Sequence, residues 1–216
     1  MNTKLNKKLN TKYREIIYIL NNTSDDTFST NCSLILKKEL LNNVVTIYKI
    51  YGADYMKFSE LINQQYIYNN NNVSTITIPK YISNDALYSA LYIIQLFIQC
   101  NIANSKNIKI DHTILQQNYT SNSYTFNSII LKIFKKNDKS FEIAKEIHKH
   151  FTNYTLEKLI QASLYLQCKI LTELCMFKIA CEITTIPRLP YSNLPDSNKM
   201  EELILKITGV TKNNKK

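Results

Sequence analysis

A chain of 216 residues, 44% of them hydrophobic, has enough material for a sizeable core, which excludes wholesale disorder. Its net charge of +10 invites a nucleic-acid reading, yet the excess sits at the ends: Lys4, Lys7, Lys8, Lys12 and Arg14 in residues 1–14, and Lys212, Lys215 and Lys216 in residues 211–216. Those eight leave 19 basic residues against 17 acidic ones between the tails, a nearly neutral body that argues against a phosphate-tracking groove on the fold.

In chain order, residues 1–14 read as a basic disordered tail. "EIIYIL" (15–20) is β-rich, "NNTSDD" (21–26) is a turn cluster, and "TFSTNCSLI" (27–35) alternates, which together predict a hairpin. Residues 37–52 read as one helix or two short ones ending near Gly52, and 55–68 add further helical turns. After the loop Asn69–Asn72, "STITIP" (74–79) predicts a third strand closed by Pro79. Ser83 or Asn84 then caps a helix over 84–101, in which Ala86, Leu87, Ala90, Leu91, Ile94, Phe97 and Ile98 keep the helical period.

Residues 102–140 form a long insertion without a readable pattern, and 141–151 are helical. The helical pattern from Thr155 to Ile183 is longer than most globular helices, so a break near Gln167–Lys169 is expected. Residues 184–198 hold three of the four prolines and read as a linker, and 199–210 make a final amphipathic helix with Gly209 at its C′ position. Few strands followed by helix pairs predict an α+β fold: a small three-stranded sheet covered by a helical cluster, with a C-terminal helical extension.

The chemistry-bearing residue types give no active site. Gly52 and Gly209 are the only glycines, so neither a phosphate-cradling loop nor a dinucleotide fingerprint can be built. No HExxH is present, and His148 and His150, two apart on a helical segment, are expected to face solvent. The five cysteines, Cys32, Cys100, Cys168, Cys175 and Cys181, lack CxxC spacing and sit in apolar stretches, as reduced, buried residues of an intracellular protein do. No catalytic residue, metal or cofactor is expected. The most apolar stretch, 87–103, falls short of the roughly 20 residues a span needs and is interrupted by Gln95, Gln99 and Asn101, so no membrane partner is expected.

The informative stretch is "LEKLIQASLYLQCKIL" (156–171). Leu156, Leu159, Ile160, Leu164, Ile170 and Leu171 fill a core stripe, while Ala162, Tyr165, Leu166 and Cys168 widen the apolar surface beyond it. Either the helix is deeply buried or part of its surface meets another protein. Tyr165, a large ring with a polar tip, suits a half-desolvated interface. In the last helix Leu203, Ile204 and Ile207 line one side, which either docks back on the domain or awaits a partner.

That order, with these residues, resembles the BTB/POZ fold, and within it the S-phase-kinase-associated adaptor family of SCF ubiquitin ligases, which is elongin-C-like. "IIYILNNTSDDTFSTNCSLILKKELLNNVVTI" (16–47) is similar to the family's opening hairpin and helix, and "ITIPKYISNDALYSALYIIQLF" (76–97) to its strand, cap and helix. In "TLEKLIQASLYLQCKILTEL" (155–174), Leu156, Leu159, Ile160, Ala162, Tyr165, Leu166, Lys169 and Leu171 fall on the family pattern, and "MEELILKI" (200–207) resembles the start of its F-box-binding tail. The family usually has Asn at position 164 and a Trp where Ala144 stands, and its members are usually acidic.

The resemblance implies a BTB/POZ-like domain over 15–183, with 102–140 inserted, then a proline linker and a short F-box-binding-like helix over 184–216. It implies a non-catalytic adaptor, cytoplasmic or nuclear, that joins a cullin N-terminal domain at Leu164 and Tyr165 to an F-box protein at Leu203, Ile204 and Ile207. The alternative is BTB/POZ self-association, as a homodimer, without a ubiquitin role.

Overall fold

Strand β3 (Cys32–Glu39) and strand β4 (Val44–Tyr51) form an antiparallel ladder in which Leu36 faces Tyr48 and Lys38 faces Thr46. Leu36, Lys38, Thr46, Tyr48 and Ile50 are buried, while Ile35, Lys37, Ile47 and Lys49 between them are half-buried. This period of two marks a sheet with one face turned to a core. The one or two helices expected over 37–52 are therefore corrected to strand at 37–39 and 44–51, with 40–43 and 52 outside the described residues. "VVTIYKIY" is β-branched and aromatic, and it fits a pleated surface better than a helical one.

Strand β5 (Ser74–Thr77) runs parallel to β3 on its other side, and the Ile78 N–H donates to the Lys37 carbonyl at 2.7 Å. β4, β3 and β5 thus make a three-stranded mixed core of the sheet. Strand β2 (Tyr13–Leu20) extends it by pairing parallel with β4, and β1 (Asn6–Asn10) pairs antiparallel with β2. The order is β1-β2-β4-β3-β5, so the sheet has five strands where three were expected.

Two further expectations change with it. The strands read as a hairpin, 15–20 and 27–35, are not partners, because β4 lies between β2 and β3. Residues 6–10, read as tail, form a strand that satisfies the outer peptide groups of β2.

The computed structural model describes residues 6–10, 13–20, 32–39, 44–51, 53–68, 74–99, 126, 140–153, 156–189 and 194–208. Apart from Phe126 and Ser140, the 102–140 insertion lies outside them. They fall into two compact units: the residues of 1–105 with 161–169, and those of 106–160 with 170–216. The fold class is α+β.

In the first unit a 3-10 helix (Ala53–Lys57) leads into α1 (Glu60–Tyr68), and α2 (Asn84–Gln99) follows β5. Leu36, Tyr48, Ile50, Tyr55, Ile62, Ile82, Leu87, Leu91 and Phe97 are almost wholly buried, and the Phe58 and Phe97 rings lie 5.9 Å apart. α2 matches the expected helix closely. It buries ten of its residues, more than one stripe, which is why the same stretch looks almost apolar enough for a membrane. Yet no described helix is long and apolar enough to cross one.

The second unit contains α3 (Ser140–Asn153), α5 (Lys169–Thr184, from Ile170 on) and α6 (Ser197–Thr208). Its buried residues include Ile147, Phe151, Leu171, Leu174 and Phe177, and the Phe126 ring stands 4.7 Å from Phe151. Helix α4 (Leu156–Tyr165) starts in this unit and ends in the first. The expected break between α4 and α5 falls at residues 166–168.

Candidate protein-docking surface

α4 stops at a turn built without glycine. The Gln167 N–H donates to the Leu164 carbonyl at 3.0 Å and the Cys168 N–H to the Ser163 carbonyl at 2.9 Å, the paired bonds of a Schellman stop. Such a stop needs a left-handed residue at C′. Gln167 adopts it with φ of 52°, a conformation that costs a residue with a Cβ roughly 1 kcal/mol more than glycine.

A second element holds this turn. The hydroxyl of Ser59, which is fully buried, donates to the Leu166 carbonyl at 2.5 Å and accepts the Ile62 N–H at 3.3 Å, while the Glu60 N–H reaches the Gln167 carbonyl at 3.4 Å. Ser59 is thus both the N-cap of α1 and a tie to the end of α4. The two helix ends satisfy one another's orphan peptide groups.

The residues before this turn are the ones expected at a partner. Leu164, which its spacing placed on the core stripe, is instead 58% exposed, because it projects from the outward side of α4, and Tyr165 beside it is half-buried. Burial pushes the Tyr165 phenol above its usual range, and Tyr81 adds to the effect. Tyr81, in the turn after Pro79, is 70% exposed. An aliphatic and two aromatic side chains, one half sunk, make a surface that can exclude water from a partner's apolar groups while offering hydroxyls at its rim. Leu156, Leu159, Ala162 and Leu166 are buried, so α4 has both a core side and an outward side. Tyr81 and Ser59 escape a reading by periodicity, because neither lies on an apolar stripe. The only cue for Tyr81 is an aromatic in a polar, proline-led turn.

The three residues expected on the last helix are divided. Asp196 caps α6, its Oδ1 accepting from Asn198 N–H at 2.9 Å and Lys199 N–H at 3.4 Å. Leu203 is 8% exposed, Ile207 is half-buried and Ile204 is 53% exposed. For Leu203 this is the docked alternative, since a short helix must bury something to stay on its unit. Ile204 remains outward, in a unit whose surface also shows Met176, Leu189 and Leu194.

Glu182 of α5 ties α6 down electrostatically. Its carboxylate accepts from Lys178 on its own helix and from Lys206 of α6 at 3.4 Å. Burial works against its charge, but the Lys178 and Lys206 ammonium groups outweigh this and hold the carboxyl below its usual range. Lys178 also sits 5.4 Å above the Phe126 ring, a cation–π contact.

The histidines are not in solvent as expected. His148 and His150 are half-buried, and burial lowers both below the usual histidine range. The Nδ1 of His148 is buried with no hydrogen-bond partner among the described residues, and Lys178 lowers this imidazole further. Of the cysteines expected to be buried, Cys168 and Cys175 are buried and Cys181 is half-buried, while the Cys32 side chain and Cys100 lie outside the described residues. No group of three His, Cys, Asp or Glu among the described residues could hold a metal ion. The arrangement offers exposed apolar and aromatic side chains on and beside helices α4 and α6. Compared with known proteins, the chain finds no matching family model, curated protein or solved structure.

Proposed function

We propose that the protein is a non-catalytic adaptor that joins a cullin N-terminal domain to an F-box-type receptor in a ubiquitin ligase of the cytoplasm or nucleus. The observation that carries the reading is the exposed Leu164 beside half-buried Tyr165, at the end of α4 just before the turn held by Ser59, with exposed Tyr81 near Tyr165. The first block of the resemblance, hairpin and helix over 16–47, does not match strands β3 and β4, and the part that supports the reading is strand β5 followed by helix α2, as its second block implies. Ile204 on α6 is the proposed receptor contact.

Co-purification of the full chain with a cullin N-terminal domain and an F-box fragment tests it. Tyr165→Glu is expected to abolish cullin capture while leaving the circular dichroism and the melting temperature near wild type. Wild-type capture by this variant removes Tyr165 from the interface, and failure of the wild-type chain to hold either partner removes the adaptor reading.

A second reading, self-association, is favoured by β5, whose outer edge no described strand covers. A discrete homodimer in solution at low concentration supports it over the first.

A further inference from the structure

We propose that Ser59 is a positioning residue for the α4 docking face, acting through Leu166 without touching the partner. The proposal rests on the adaptor reading for what binds, but its structural half stands apart from it.

A serine N-cap needs only a lone pair, which Ile62 N–H uses here; its proton is then usually left to water. Ser59 instead spends its proton on the carbonyl of Leu166, 107 residues further along the chain, at 2.5 Å and in a fully buried setting. The Glu60 N–H adds a second, longer bond to the next carbonyl, that of Gln167. The positive end of α1 thus faces the negative end of α4. Gln167 keeps a left-handed backbone without being glycine, and such a conformation persists only where its surroundings over-determine it. The ties from Ser59 and Glu60 supply that restraint. Leu164 and Tyr165 are the two residues immediately before the tied carbonyls, so any fraying of the turn would displace them first.

Three variants of the full chain separate positioning from capping: Ser59→Ala, Ser59→Thr and Ser59→Asp. The first removes both bonds and the second keeps both. At pH 8 the third keeps an acceptor for Ile62 N–H but has no proton for Leu166. The readouts are amide hydrogen exchange and capture of a cullin N-terminal domain.

Ser59→Ala should speed exchange at Leu166, Gln167 and Cys168 roughly tenfold, with α2 amides unchanged. Capture should weaken by a similar factor, and Ser59→Thr should return both to wild type. Ser59→Asp should open 166–168 while α1 stays protected. Unchanged exchange at 166–168 in Ser59→Ala overturns the proposal, as does opening spread evenly through α2. So does opening at 166–168 with undiminished capture. If the wild-type chain captures no cullin domain, the adaptor reading falls, and the exchange pattern alone decides whether Ser59 holds the turn.

Discussion

The phenol of Tyr48 lies 2.7 Å from Oδ1 of Asn84 and 3.1 Å from its carbonyl oxygen, fastening strand β4 to the first residue of α2. Tyr48 is fully buried, so losing its hydroxyl would leave the Asn84 oxygens short of a donor. Tyr48→Phe should lower stability by about 1 kcal/mol, seen as an earlier urea midpoint with an unchanged slope. An unchanged midpoint would mean that water serves Tyr48 equally well in the unfolded chain.

Gln167 offers a gain. With φ of 52° it holds a place that glycine fills without a Cβ penalty. Gln167→Gly should stabilise the chain by roughly 0.5 to 1 kcal/mol, and Gln167→Val should destabilise it by more than that. A thermal melt that ranks Gly below the native Gln would show that the Gln167 side chain contributes more than its backbone costs.

Acid should loosen the second unit in two stages. His148 and His150 have folded-state values lowered by burial, so the unfolded chain takes up protons first, and stability falls as pH drops below the ordinary histidine value of about 6.5. Glu182 is also lowered, and its contribution is present above the ordinary carboxylate value of about 4.3 and is lost as pH falls below it. Denaturant midpoints from pH 8 to pH 3.5 should show both slopes. Replacing both histidines by Gln should flatten the upper stage, and Glu182→Gln the lower. A flat profile between pH 7 and 5.5 would contradict the first.

Leu203 and Ile204, neighbours in sequence, should behave differently. Leu203→Ala removes a buried side chain and should cost about 2 kcal/mol, with faster exchange along α6. Ile204→Asp changes an outward residue and should leave the melting temperature within about a degree or two, since exposed substitutions lie within about ±0.5 kcal/mol. Under the adaptor reading Ile204→Asp alone should release an F-box fragment from a folded chain. Retained binding would clear Ile204 of that part.

The sequence makes some of this plain and hides the rest for definite reasons. α2 is legible because Ala86, Leu87, Ala90, Leu91, Ile94, Phe97 and Ile98 keep the helical period behind a polar cap at Ser83–Asn84, although its buried surface is wider than that stripe. The break at 166–168 is legible from length alone, although no glycine marks it. β4 is not legible: "KKELLNN" before it suggests a helix, and "VVTIYKIY" alternates only once Tyr48 is known to face inward, which depends on neighbours distant in sequence. Leu164, placed on a core stripe by its spacing, is exposed instead, and Leu203 is turned inward by the need of α6 for an anchor. Ser59 is invisible beforehand, since nothing in the sequence near residue 59 announces a carbonyl from residue 166.

Helix α4 changes allegiance along its length, with 156–160 in one unit and 161–165 in the other. A growing polypeptide therefore cannot finish the amino-terminal unit when that stretch leaves the ribosome, since its missing piece, Gln161–Lys169, is made only after the whole intervening segment. Until then the first turn of α1 lacks the carbonyls that Ser59 and Glu60 will bind. A fragment cut near residue 105 would carry that deficit permanently and should expose apolar surface, whereas the uncut chain repairs it once residues 161–169 have emerged from the ribosome.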